Sequence, residues 1–501
     1  MRTKSWWGWG WADQALDQAG SDQLARRVSA FLPLDGQVAP VPDVERLRRP
    51  RVAQPPIEAR CDNLARVSHS YGKAYRDVIR NLRNDFPNPP DWIAYPRNEN
   101  EIEETLDWAA HVGAAIIPYG GGTSVVGGVE FRDPDRPFVT LDLGRMRAVV
   151  ELDAACLAVR AQAGIDGPAL EAALREKDLT LRHYPQSFEF STLGGWLATR
   201  AGGHFATGRT RIDDFVESLR IVTPVGISES LRVPASGAGP SPDRFWLGSE
   251  GALGIITEAW MRVQKRPAFR SRATISFAEY QAGVAASKDL AQSGLMPANC
   301  RLLDPLESLI AADSDSPMAA LLLAFESADH PVESALDRAI ELCRAHGGQV
   351  APRETSWRGN FLRAPYLRDA LARLGVVVET FETACTWGSF EQLHAAVLDA
   401  VSPAIATCRF THVYPDGPAP YFTVYAPGRR GAELEIWDEL KARVSEAVVA
   451  NGGTITHHHA IGRDHNPWYQ RQRPEPFGTV LRAAKRSLDP QRLLNPGVLG
   501  L

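Results

Sequence analysis

Hydrophobic positions in this chain recur with two periods that alternate along its length. "WIAYPRNENEIEETLDWAAHVGAAIIPYGGG" reads as a short strand, a helix with acidic residues in its early turns, and an apolar strand running straight into three glycines. "FVTLDL", "LAVRAQAG" and "GPALEAALREKD" follow as strand, strand and helix, and "SLRIVTPVG" adds another strand. The texture changes near Arg266. From there the pattern gives strand "ATISF", helix "EYQAGVAASKDLAQSG", strand "ANCRLLD", strand "AALLLAFE", helix "VESALDRAIELCRAHGG" and a further strand. Later comes "ELEIWDELKARVSEAVVANGGTITHHH", a helix leading through glycines into a strand that carries three histidines. Three helices thus end at glycine, which tolerates the positive φ that closes a last turn. The prediction is an α+β fold in two lobes, the second an antiparallel sheet covered by helices. Residues 33 to 56, rich in proline and charge, read as an extended connector, and "PASGAGPSPD" as a loop.

A length of 501 residues exceeds what one core usually serves, in agreement with two lobes. The net charge of -5, with no clustered Lys/Arg stripe, argues against a nucleic-acid partner. Cys61, Cys156, Cys300, Cys343, Cys385 and Cys408 are scattered without metal-ligand spacing, so reduced thiols in a cytoplasmic protein are expected. There is no apolar stretch of about 20 residues and no signal-peptide pattern, so the expected location is inside the cell. The opening "SWWGWGW" has two readings: an arm whose indoles pack on the body of the protein, which is favoured, or a peripheral membrane contact.

Three loops carry the strongest chemical signal. "IIPYGGGTSVVGG" (116 to 128) matches neither the Rossmann fingerprint nor the P-loop, which would need a lysine after its glycines. "PQSFEFSTLGGWLATRAGG" (185 to 203) and "WLGSEGALGIITE" (246 to 258) repeat the Gly/Ser/Thr enrichment. Glycine allows backbone to lie against a ligand, and peptide N–H groups in such loops bind anions. Together they suit one long ligand with a pyrophosphate in its middle.

In order and separation, these loops resemble the FAD-binding domain of the vanillyl-alcohol oxidase/p-cresol methylhydroxylase flavoproteins. Adding "CRLLD", "YLRDAL", "TCRFTHVY", "NGGTITHHHAIG" and the Trp/Gly opening, most of the chain resembles the alkyldihydroxyacetonephosphate synthase family. The resemblance implies a PCMH-type FAD-binding domain over 89–265, preceded by an arm and linker (1–88). A substrate-binding cap (266–455) and a His-rich loop with the C-terminal segment (456–501) would follow. By the same resemblance FAD would contact Pro118, Tyr119, Gly120, Gly121, Gly122, Thr123 and Ser124 in the first loop. In the second it would contact Gln186, Ser187, Phe188, Glu189, Phe190, Ser191, Thr192, Thr199, Arg200, Ala201 and Gly202. In the third the contacts would be Glu250, Gly251, Ala252, Leu253, Gly254, Ile255 and Ile256. Gln186 stands for the family's usual Asp and Gly202 for a Ser. Thr123 stands where relatives with tethered flavin carry histidine, so the FAD is expected to be non-covalent.

The implied reaction exchanges the acyl chain of acyl-dihydroxyacetone phosphate for a fatty alcohol, giving an ether lipid precursor with no net redox change. The family's acid/base tyrosine falls on Tyr421, with His457, His458 and His459 beside it. If the triplet sat on a strand, His457 and His459 would share one face and His458 the other. A tyrosine near its ordinary pKa of about 10 is a poor base at neutral pH, so a neighbouring charge or hydrogen bond would have to assist it. The phosphate would meet Arg368 and Arg301, with Arg409 a further candidate. From sequence alone, Arg368 followed by Asp369 better suits a surface ion pair, and adjacent histidines better suit a metal site or a solvated strand end. With the resemblance, no metal is expected, and a homodimer is. The C-terminal "GVLGL" is not a peroxisomal S-K-L address, in keeping with a cytoplasmic location, peripheral to a membrane if the tryptophans touch lipid. The alternative function is FAD-dependent oxidation of a D-2-hydroxy acid, disfavoured because "THVYPDGPAPYF" and "HHHAIG" lack the metal motifs of many such relatives. A flavin-bearing lipid binder without turnover is disfavoured by the presence of Tyr421 and the histidines.

Overall fold

A computed structural model of the chain describes residues 2–29, 31–34, 37–311, 318–351 and 357–501. The first lobe holds two sheets. In the smaller, Trp92–Ala94, Phe138–Asp142 and Ala115–Tyr119 run parallel, with Ala59–Arg60 antiparallel at the edge. The crossover between the first and last of the parallel strands is the helix Glu99–Val112. Asn98 caps its start by accepting the Glu101 N–H, and Gly113, at φ +70°, closes its end. Ala115, Ile116 and Ile117 are fully buried, the continuous apolar run that a strand covered on both faces requires. The second sheet is antiparallel, in the order Val149–Asp153, Ala158–Gln162, Ile255–Arg262, Val216–Thr223, Gly226–Glu229. One core joins both sheets to Leu481, Leu494 and Val498, so the C-terminal segment returns to this lobe. The Ile116 N–H donates to the Leu493 carbonyl (2.7 Å) and the Asn495 N–H to the Ile116 carbonyl (2.9 Å).

The second lobe is a seven-stranded antiparallel sheet. Its order is Gln349–Val350, Phe269–Phe277, Ala319–Ser327, Asn299–Leu303, Ile405–Tyr414, Gly417–Pro427, Val376–Glu382. Helices Tyr280–Gln292, Glu333–Ala345, Phe390–Val401 and Glu433–Ala450 cover one face with apolar side chains. The opposite face of Val376–Glu382, Gly417–Pro427 and Ile405–Tyr414 looks onto a large cavity against the glycine loops.

The indoles pack on the body of the protein. Trp7 and Trp9 are buried, and Trp9 and Trp11 lie 5.7 and 5.3 Å from the Phe190 ring. The Trp9 N–H donates to Asp369 (2.5 Å) and the Trp11 indole N–H to Glu189 (2.6 Å), so the arm joins the second glycine loop to the helix Trp357–Arg373. All six cysteines are free thiols. Among the described residues no helix is long and apolar enough to cross a membrane. One strand expected from the sequence does not form: after helix Glu433–Ala450, "TITHHH" is a bent loop.

Candidate active site

The cavity, of about 1000 Å³, is lined on one side by the glycine loops and on the other by the cap sheet. Strand register orders the cap side into transverse rows. Tyr421 pairs with Glu382 on one neighbour and Arg409 on the other, Thr423 with Thr380 and Thr407, and Tyr425 with Val378 and Ile405. Side chains two apart on a strand share a face, so three rows follow one another along the cavity: charged, then hydroxyl-bearing, then apolar.

The charged row holds the proton-moving groups. Arg409 sits over the Tyr421 ring, 3.9 Å from its centroid, and is ion-paired with buried Glu307 at 2.5 Å. Glu307 also accepts the Thr407 hydroxyl. Burial raises the Tyr421 phenol above its ordinary value, and Arg409 and a hydrogen bond from Thr380 only partly offset this. The assistance that the sequence called for is present but outweighed, so the phenol stays protonated at neutral pH.

The histidine triplet wraps a carboxylate. Glu382, buried at the end of its strand, accepts the backbone N–H groups of His457 (2.5 Å), His458 (3.1 Å) and His459 (2.8 Å) and the Thr456 hydroxyl (2.5 Å). Successive N–H groups of a strand point to opposite sides, so three in a row reach one carboxylate only if the chain bends. This corrects the expected face-sharing of His457 and His459: His458 and His459 line the cavity, while His457 turns away. The His457 ring contacts the Tyr414 hydroxyl (Nε2, 2.8 Å) and His458 (Nδ1 to Nδ1, 3.0 Å), and the Arg211 guanidinium donates to its carbonyl. Burial would push the Glu382 carboxyl up, but the facing histidines and Thr456 hold it well below the usual range. Burial also lowers all three imidazoles, His459 to about 3, against the opposing pull of Glu382. An imidazole with a lowered pKa keeps its neutral, proton-accepting form as pH falls. Turnover should therefore show no histidine inflection near pH 6.5, and a kcat profile from pH 5.5 to 8 checks this.

Arg301, Arg368 and Arg409 all reach the cavity. Burial and the nearby Arg409 lower Arg301 to about 9, against Glu307. Arg368 does pair with Asp369 (2.7 Å), but both are nearly buried, and the guanidinium also donates to the Lys73 carbonyl (2.5 Å). Glu382, Glu307 and Thr380 were not singled out by sequence reasoning. A glutamate ending the apolar strand "VVVETFE", on the same face as Thr380 and Val378, is the signal that marks Glu382. His412 also faces the cavity, because a bulge between Phe410 and His412 re-aims it.

The first loop lines the cavity from Pro118 to Ser124, as do Gln186, Ser187, Ser191, Thr192, Thr199, Ala201, Gly202, Glu250, Gly251, Gly254, Ile255 and Ile256. Six expected contacts do not. Phe188 stacks on Trp196, Glu189 holds the Trp11 indole, and Phe190 carries the arm's rings. Arg200 turns out to Asp213 (2.9 Å), and Ala252 and Leu253 belong to the core. One glycine excludes any side chain and a second leaves little room for one. A Cβ on Gly121 would lie 2.0 Å from the Phe190 carbonyl oxygen, and one on Gly202 would lie 3.1 Å from His458 Cβ. The amides of Gly121, Gly122, Thr123 and Ser124 find no acceptor among the described residues, which leaves a row of donors open to an anion. The Gly128 N–H donates to the Ser124 hydroxyl (2.9 Å) and fixes the turn. Glu250, pushed up to about 7 by burial, accepts the Ile461 and Gly462 N–H groups (2.9 Å each). Asn495 donates to the Glu250 and Gly128 carbonyls, so the third loop, the first loop and the histidine loop are tied together. Open amides, a glycine cradle and a cavity of this size fit a bound dinucleotide cofactor.

Comparison with known proteins agrees. Residues 90–231 match the family described as FAD binding domain, and residues 266–499 match FAD linked oxidases, C-terminal domain. The alkyldihydroxyacetonephosphate synthase of Dictyostelium discoideum is 31% identical over 478 residues, covering 88% of this chain and 78% of that one. The chain belongs to the alkyldihydroxyacetonephosphate synthase family. Its relative of that name in Caenorhabditis elegans is 30% identical, covering 85% and 79% of the two chains. A solved alkyldihydroxyacetonephosphate synthase superposes with a TM-score of 0.82 over 98% of both chains at 27% identity. p-Cresol methylhydroxylase, at 13% identity and a TM-score of 0.70 over 88% and 94%, shares the fold.

Proposed function

We propose that the protein is an FAD-dependent alkyl transferase that replaces the acyl chain of acyl-dihydroxyacetone phosphate with a fatty alcohol. The observation that carries this reading is one cavity whose inner end joins Tyr421, His458, His459 and arginines, and whose outer end is apolar. Bound FAD would supply an electron-poor centre at which C1 of the substrate is held between loss of the acyloxy group and arrival of the alcohol. Thr123, which lines the cavity, replaces the tethering histidine of covalent relatives, in keeping with non-covalent flavin.

The chain's own residues bind and move protons. Tyr421 Oη exchanges a proton with C1, and the neutral rings of His458 and His459, 6.3 and 5.6 Å from the Tyr421 ring, flank that step. Arg301 and Arg409, both close to Glu307, and Arg368 receive the phosphate. Arg301→Gln should raise the KM for the phosphorylated substrate roughly 10- to 100-fold, the worth of one or two charge-assisted hydrogen bonds. The KM for fatty alcohol should change little, as steady-state kinetics with each substrate varied would show.

The reading is tested by incubating flavin-loaded protein with acyl donor and fatty alcohol. An alkali-stable ether and one equivalent of free fatty acid are expected. A second reading, oxidation of a D-2-hydroxy acid, is favoured by one observation. Ligand nitrogens of His412, His457 and His458 lie within 4.8 Å of one another, close enough to share a metal ion. A relative with that kind of name, glycolate oxidase subunit GlcD of Bacillus subtilis, is 26% identical over 82% of this chain.

The proposed location is cytoplasmic with peripheral membrane contact. Exposed Phe31, Leu309, Ile310 and Leu362 lie on or beside the cavity mouth near Arg27, a composition suited to a lipid surface. Vesicle flotation tests that contact, and sedimentation tests the expected homodimer.

A further inference from the structure

Beyond the apolar row of the cap sheet, the cavity is walled by the N-terminal helix Gln18–Val28 and the residues after it. Leu24 and Val28, one turn apart on the helix, and Leu32 just after it, whose N–H donates to the Val28 carbonyl (2.9 Å), all line it. They pack into the cluster formed by Leu371, Val376, Val377, Val378 and Val401. This wall is fixed at both ends. Asp17 caps the helix by accepting the Gly20 N–H (2.8 Å). Arg373, at the end of the cap helix, donates to the Leu16 carbonyl (3.5 Å) before the helix and to the Ala39 carbonyl (2.8 Å) after it. Its own carbonyl accepts the Ala39 N–H at 2.8 Å.

Tyr425 lies four residues along the strand from Tyr421, about 14 Å at about 3.4 Å per residue. An extended methylene chain, with bonds of about 1.5 Å at tetrahedral angles, advances about 1.3 Å per carbon. Roughly the first ten carbons of a chain anchored at the Tyr421 end therefore run along the cap sheet, and only later carbons meet the helix.

We propose that Leu24, Val28 and Leu32 determine the length of the aliphatic chain that the enzyme accepts. The N-terminal segment then acts as a ruler as well as a clamp. That the occupant is an alkyl or acyl chain rests on the function proposed above.

The test uses the full flavin-loaded chain, a fixed acyl donor and straight-chain alcohols of increasing length, with the ratio of kcat/KM for hexadecanol to that for decanol as readout. Val28→Trp and Leu24→Trp should each lower this ratio at least about 10-fold, since each methylene denied the apolar wall lowers it about four-fold. Leu32→Ala should move the optimum to longer chains. An unchanged ratio in both tryptophan variants overturns the proposal. So does an equal fall at every length, because a wall beyond the tenth carbon cannot act on decanol. Equilibrium binding of the same labelled alcohols separates the two ideas. If the unaltered enzyme makes no ether but binds alcohols with a length dependence that the variants shift, the ruler stands and the transferase reading falls. Ether synthesis with an unshifted profile gives the reverse.

Discussion

Tyr421→Phe should lower turnover about 10²- to 10⁴-fold, the usual worth of a positioned acid or base, and leave flavin content unchanged. The substitution removes one oxygen and keeps the ring beneath Arg409, so packing is preserved. Thr380 loses a partner, a cost of about 1 kcal/mol that denaturant unfolding would register. The pH dependence is a second readout. Because burial raises the phenol's pKa, the ionised share is small at neutral pH and grows as pH rises. If the phenolate takes the C1 proton, kcat of the unaltered enzyme climbs through the alkaline range and that climb disappears in the phenylalanine variant. A Tyr421→Phe enzyme with full activity would mean that the histidines move the proton alone.

Glu382→Gln should cost about 3 kcal/mol of stability and about 100-fold in kcat, with FAD retained. The amide keeps one acceptor oxygen, but its NH₂ would face backbone N–H groups that now converge on a carboxylate. With that hold lost, His458 and His459 leave their places beside Tyr421. The flavin loops are held separately by Glu250 and Asn495 and should keep their cofactor. Glu382's depressed pKa also contributes stability that is complete above about pH 4.5 and lost as pH falls below it. Glu382→Gln should flatten that part of the stability profile, which denaturation between about pH 2 and pH 5 would show. An ordinary packing role would lower stability without that change in slope.

The parts of this molecule that were legible in the sequence are those governed by local rules. Apolar periodicity located the strands around residues 92, 115, 138, 158, 216, 273, 299 and 319, and Gly294, Gly347 and Gly452 marked helix ends correctly; the strands Val376–Glu382, Ile405–Tyr414 and Gly417–Pro427 that wall the site were not read from it. The glycine loops announced backbone held open to an anion, and the resemblance carried the fold and the cofactor. The failures are places where tertiary contacts decide. "TITHHH" has the composition of a strand, but Glu382, distant in sequence, gathers its amides and bends it. His412 faces the cavity because of a bulge that no local pattern specifies. Within the loops, contiguous runs were too generous. Phe188, Glu189 and Phe190 serve the N-terminal arm and the neighbouring rings, and Arg200 answers Asp213. Which residues of a loop face inward depends on its turns, and a sequence carries that only weakly.

The central claim is acyl-for-alkyl exchange at C1. Its most direct test is to give flavin-loaded protein palmitoyl-dihydroxyacetone phosphate and hexadecanol labelled with oxygen-18, and to analyse the alkali-stable lipid by mass spectrometry. The expected outcome is an ether carrying the alcohol's oxygen, one palmitate released per ether, and flavin still oxidised at the end. No labelled ether, with flavin bleached by a D-2-hydroxy acid in the same preparation, would contradict it.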